Sequence, residues 1–160
     1  MTWPLASVMS THIAGDTGDT FFNCWALMWT SGQLLRALKG DAGALAHYWN
    51  ANIFYPAPLT LAYSEHLTPQ MLQAFPILAM TGNIALAYNV LFLLTIVLSG
   101  LGTYLLVREL PGLPLAALLA GLAFAFAPYR IDQFEHLQVL SSQWMPFALY
   151  GLNRFVTTKS

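Results

Sequence analysis

Formal charge is the scarcest commodity in this 160-residue sequence, at 8% of residues where a soluble domain carries roughly 25%. With mean hydropathy at +0.56, so little charge excludes water as the main solvent of the surface. Cysteine is nearly absent too. Cys24 stands alone, which rules out an intramolecular disulfide and a cysteine-based zinc site, and its residue type suits a small apolar filler. No basic stripe accompanies the net charge of −1, so the sequence gives no support to nucleic-acid binding. Met1–Ser10 lacks the basic start and long apolar core of a signal peptide and reads as the tail of a helix. Neither internal repeats nor low-complexity tracts are visible.

What remains is apolar and segmented. From Leu67 to Val107 the chain runs about forty residues without a formal charge, while Asp16, Asp19, Asp41, Glu65, Asp132, Glu135 and all four histidines lie outside that stretch. Asn83–Val107, about 25 residues, would extend near 37 Å as a helix, enough to cross a hydrocarbon core of about 30 Å with some tilt. Arg108 and Glu109 close it, and Pro111, Gly112 and Pro114 force a turn. Leu115–Pro128 is short for a span but reads as the return helix, with Ala117, Gly121 and Ala125 placing small side chains on one face. Val139–Phe155 is expected to recross. Thr20–Leu38 reads as an interfacial helix with Phe21, Trp25, Met28 and Leu35 on one stripe. Thr68–Met80, with Pro69 and Pro76, is too short to span and reads as re-entrant or interfacial.

The expected fold is therefore all-α: a partial polytopic transmembrane bundle of about three spanning helices with interfacial or re-entrant helices. Residues 1–160 form a single membrane domain in this reading, with 11–82 as an outer loop carrying interfacial helices and 83–155 as the transmembrane helices. The positive-inside tendency puts Arg108, Arg154 and Lys159 in the cytoplasm and the acidic loops outside.

Three polar clusters carry candidate chemistry. Gly15-Asp16-Thr17-Gly18-Asp19-Thr20 offers two carboxylates in a glycine-flexed turn, able to converge on a cation or on a hydroxyl that loses its proton. Asp19 is also placed to N-cap a helix starting at Thr20, which leaves Asp16 as the better base. The second cluster runs from Asn50 to His66. Its Trp49, Phe54, Tyr55 and Tyr63 suit either a platform for a sugar or prenyl chain or an aromatic belt at the bilayer, and Glu65 and His66 have the types for acid and base work. In the third, Phe126–His136, the spacing would gather Asp132, Glu135 and His136 on one helical turn, with Arg130 holding a phosphate or pairing with Asp132.

These motifs in this order, GDTGDTFFNCWALMW, then NANIFYPAPLTLAYSEH, then FAPYRIDQFEHLQVLSSQWMPF, resemble the N-terminal portion of bacterial polytopic glycosyltransferases of the GT-C superfamily. The resemblance covers nearly the whole chain. It implies a polyprenyl-phosphate-linked sugar donor, a multi-pass position in the bacterial inner membrane, and membrane lipids and the remaining helices of a full-length protein as partners. Residue by residue, it implies that Asp16 or Asp19 is the essential first-loop aspartate and that Asp132 or Glu135 supplies the later acid. A divalent cation, Mg or Mn, is a further expectation, held by Asp16, Asp132 and Glu135, with Tyr55, Tyr63, Glu65, His66, Arg130 and His136 on the substrate. The competing expectation is a non-catalytic membrane module or a transporter segment for a lipid-linked substrate.

Overall fold

The computed structural model describes residues 4–15, 17–110 and 113–158, and all of its regular secondary structure is helical. The chain divides into two compact units, 1–91 and 92–160.

The first unit holds a short helix α1 (Leu5–Val8), the long helix α2 (Asp19–Leu38), a one-turn helix α3 (Gly43–Ala46), a 3-10 turn at Thr60–Tyr63 and helix α4 (Thr68–Thr81). It also holds the first two turns of α5, which runs Ile84–Glu109. Helix α2 packs against α3 and α4. It does so with an inverted pattern: Thr20, Asn23, Thr30, Ser31 and Gln33 are buried with Cys24, Ala26 and Leu27, while Phe21 and Met28 from the expected apolar stripe are more than half exposed. An apolar stripe that faces away from the protein core suits a helix whose outer surroundings are lipid. Helix α4 tolerates Pro69 in its first turn, where an N–H has no helical partner, and stops at Gly82, which adopts φ +63°. Asn83 then starts α5, its side-chain oxygen accepting the Leu86 N–H at 2.9 Å.

One side chain ties the first unit together. Asn89, fully buried, accepts the Ala14 N–H at 2.9 Å and donates to the carbonyls of Met9 and His12 at 2.9 and 2.6 Å. Both donors and the oxygen of one amide are thereby spent on the segment that leads to Gly15.

The second unit contains the rest of α5, then α6 (Pro114–Ala125), α7 (Pro128–Asp132), α8 (Leu137–Leu140), a 3-10 turn at Ser141–Gln143 and α9 (Trp144–Thr158). The small-residue face of α6 is where the sequence puts it: Ala117, Gly121 and Ala125 are buried. A Cβ on Gly121 would lie 2.7 Å from the Gly100 carbonyl oxygen, so α5 and α6 meet backbone to backbone. On another face of α5, a Cβ at Gly102 would lie 3.1–3.2 Å from Pro146 and Phe147 of α9. Glu109 and Arg154 connect the ends of the same two helices at 3.7 Å.

Two helical stretches are long and apolar enough to cross a membrane, Ile84–Glu109 and Pro114–Asp132. The first matches the expected span to within two residues. The second needs α7 to reach its length, because α6 alone is 12 residues, or about 18 Å. The third expected crossing is corrected. Val139–Phe155 does not form one helix, since Ser141, Ser142 and Gln143 turn the chain in a 3-10 bend and leave α9 with 15 residues, about 22 Å. The serines cause the break by spending their hydroxyls elsewhere: Ser141 donates to the Leu137 carbonyl, and Ser142 accepts from Arg130.

Candidate functional site

The acidic turn is shaped by Gly15, at φ +114°, where an added Cβ would collide with the Thr20 hydroxyl. Only glycine satisfies both the backbone angle and the space. Gly15 thus lies close against Thr20 in the first turn of α2. Asp16 itself lies outside the described residues. Asp19 is corrected in its role: the helix begins at Asp19, and the N-cap position is Gly18, which has no side chain to offer. Its carboxylate sits in the first turn, where the helix dipole favours negative charge.

In the second cluster the sequence-predicted residues are spread along a folded loop. His66 is held by Thr68, whose hydroxyl stands 2.8 Å and whose backbone N–H stands 3.2 Å from Nδ1. The backbone N–H points at Nδ1 and fixes the ring's orientation. The same Thr68 hydroxyl bonds the Tyr48 phenol at 2.6 Å, and the Trp49 ring meets the imidazole edge to face at 5.4 Å. The neighbouring Glu65 accepts from Ser64 at 3.1 Å. Tyr55 and Tyr63 point outward, 96% and 75% exposed.

Arg36 and Asp41 form an exposed pair at 2.6 and 3.1 Å. The Arg36 hydrogen bond holds the Asp41 carboxyl below the usual carboxylate range. Sequence reading listed Asp41 only as an outer acid, and its partner five residues upstream was the available signal.

The third cluster departs most from expectation. Helix α7 ends at Asp132, residues 133–135 form a turn, and His136 precedes α8, so no single helical turn gathers Asp132, Glu135 and His136. Pro128 begins α7 and the following break is short, so three residues that share a face in a continuous helix are fanned around a bend instead. Asp132 accepts from the Gln133 amide at 3.3 Å and does not hydrogen-bond Arg130.

Arg130 turns inward. Only 4% exposed, it donates to Ser142 Oγ, to the Leu140 carbonyl at 3.0 Å and to the Thr95 carbonyl at 3.3 Å, and its guanidinium carbon lies 5.6 Å from the centre of the Phe124 ring. These oxygens are neutral, and its Nε–H has no hydrogen-bond partner. One guanidinium thus fastens α5, α7 and the α8 bend to each other, using the fork geometry that lysine lacks. Ser142 and the C-terminal carbonyl of α8 were the signals: a hydroxyl and free helix-end oxygens twelve and ten residues on, within reach if the chain reverses.

Among the described residues no three His, Cys, Asp or Glu side chains gather within metal-holding reach. Scans of family models, of curated proteins and of solved structures return no match to this chain.

Proposed function

We propose that this chain is the N-terminal membrane part of a glycosyltransferase that moves a sugar from a polyprenyl-phosphate-linked donor to an acceptor at the outer side of a bacterial inner membrane. The observation that carries the reading is the clamped break after α6. A reversal between apolar helices that bears Asp132, Glu135 and His136 is fastened by the buried Arg130, which fixes where these ionisable groups are presented. In the first unit, Gly15 before the acidic pair is the second support, because neither its positive φ nor the space beside Thr20 admits a side chain.

In this reading Asp16 is the general base. It takes the proton of the acceptor hydroxyl as that oxygen attacks the anomeric carbon and the lipid phosphate departs. Asp19, in the first turn of α2, follows three residues later in sequence. Glu65 and His66 belong to the substrate loop, and Asp132, Glu135 and His136 to the second acid-bearing turn. Arg130 positions that turn. A divalent cation, if used, offsets charge on the leaving phosphate.

The test is transfer of radiolabelled sugar from polyprenyl-linked donors by the full-length protein in liposomes, with Asp16→Asn beside the parent and with chelator present or absent. Loss of transfer in Asp16→Asn with unchanged helicity supports the assignment. Movement of the lipid-linked sugar across the bilayer without bond cleavage would instead establish a transporter segment.

A further inference from the structure

From Ala42 to Ser64 the chain carries no formal charge, yet much of this loop is on the surface: Tyr55 is 96% exposed, Tyr63 75%, Phe54 71% and Leu59 48%. Charges stand only at its foot, with Arg36, Lys39 and Asp41 before it and Glu65 after it. Exposure here does not mean looseness. Two indoles of α2 grip the ascending strand of the loop, Trp29 donating to the Tyr48 carbonyl at 2.9 Å and Trp25 to Asn52 Oδ1 at 3.2 Å. The return strand is tied across: the Leu59 N–H bonds Asn50 Oδ1 at 2.8 Å, Thr60 Oγ1 the Ala51 carbonyl at 2.9 Å, and the Leu61 N–H the Trp49 carbonyl at 3.1 Å. At the tip, Phe54 and Leu59 both adopt φ +55°, a conformation non-glycine residues seldom take. The fold therefore holds an unfavourable backbone in place and presents apolar side chains outward with it.

We propose that this loop is a bilayer wedge, with Phe54, Tyr55, Leu59 and Tyr63 seated among the headgroups and upper acyl carbons of the membrane that α5 crosses. Three observations favour lipid over a soluble ligand. Between Phe54 and Leu59 the only polar side-chain atom is the Tyr55 hydroxyl, and Pro56 and Pro58 contribute no N–H, so little is available to read the hydroxyls of a sugar. The cross-loop hydrogen bonds satisfy backbone groups internally, as a low-dielectric medium demands. Tyrosines at the rim with uncharged apolar residues between them match the chemistry of the membrane interface, where a ring is dry and its hydroxyl wet. The inference is independent of the sugar-transfer reading.

Collision measurements decide it. In the full chain carrying Cys24→Ala, single cysteines at Tyr55, Leu59, Lys39 and Glu65 receive a nitroxide, and the protein is placed in phosphatidylcholine liposomes. Tip labels at 55 and 59 should collide more with lipid-soluble oxygen than with a water-soluble nickel chelate, and foot labels at 39 and 65 should show the opposite sign. Equal nickel access at tip and foot would overturn the wedge and return the tip to water. Protection of the tip from both reagents would overturn it too, since protein would then be its cover. Because Tyr55 is nearly free of contacts, its replacement does not endanger folding, and bromolipid quenching of a tryptophan placed by Tyr55→Trp in a background that keeps the five native tryptophans, read as added quenching over the parent, repeats the test without a label.

Discussion

The two units bury very different things. The first packs its interior with amides and hydroxyls, among them Asn23, Thr30, Gln33, Thr60, Gln70 and Asn89, and joins distant segments by side-chain to backbone hydrogen bonds. The second also buries Thr95, Ser99, Ser141 and Gln143, but it brings helices together where side chains are missing, at Gly100, Gly102 and Gly121, and it holds the buried cation of Arg130. In the membrane reading proposed above, both would answer one problem. Where the outside is as apolar as the inside, hydrophobic burial cannot hold helices together, so specific polar bonds or very close backbone approach must do so. The units teach that one short chain can use either.

The sharpest way to break this contrast is to remove the cation of the second unit. Arg130→Ala leaves the Thr95 and Leu140 carbonyls and Ser142 without their donor and should destabilise that unit by about 3 kcal/mol. Hydrogen exchange in micelles should show faster exchange across the α7–α8 bend, and Arg130→Lys should recover only part, because one ammonium cannot reproduce the fork. Unchanged protection in Arg130→Ala would show that helix packing alone fixes the bend.

Next in size is Gly121→Ala, which must part α5 from α6 and should cost about 2 kcal/mol as the shift in thermal unfolding in detergent. Its counterpart in the first unit is Asn89→Ala. Loss of three hydrogen bonds should cost about 2 kcal/mol and release amide protection at Ala14. If Asn89→Leu were as stable as the parent, polar bonding would not be what holds the first unit.

A smaller effect with the opposite sign sharpens the comparison. Gly32, in the middle of α2, has open space where a Cβ would go, so Gly32→Ala should stabilise by about 0.5–1 kcal/mol, in contrast to Gly121→Ala. Gly32, unlike Gly121, is not a packing device.

The smallest effect concerns acid. Asp41 has a lowered carboxyl pKa, so its favourable pairing with Arg36 is fully present above the ordinary aspartate value and fades as pH falls through the lower folded value. Arg36→Gln should raise the Asp41 titration midpoint seen by NMR toward that ordinary value while leaving the unfolding midpoint at neutral pH almost unmoved, since the pair is exposed. In the same unit burial pushes the Cys24 thiol up to about 12, so a maleimide at neutral pH should leave it unmodified until the unit unfolds.

Much of this was legible in the sequence wherever a signal was periodic or local. The uncharged run gave α5, the fourfold spacing of Ala117, Gly121 and Ala125 gave the α6 contact face, and Asp19–Leu38 became α2 within a residue of expectation. What escaped depended on where a chain bends. Asp132, Glu135 and His136 share a helical face only if α7 continues, and it stops at Asp132. Arg130 was read against its near neighbour Asp132, whereas its acceptors come from residues ten and twelve positions later and from mid-α5, a pairing that appears only once the reversal exists. The N-cap of α2 slipped by one residue, enough to move Asp19 from cap to first turn.

Asn89 has one more consequence, and it is mechanical. Helix α5 has 26 residues, about 39 Å of helix against a hydrocarbon layer of about 30 Å, so in the membrane reading proposed above it would lean, and lean further in a thinner layer. Met9, His12 and Ala14 hang from that helix through one amide, and the next residue is the glycine that shapes the acidic turn. In that reading a change of lean would be passed through Asn89 to the segment that ends at Gly15, as a lever passes torque.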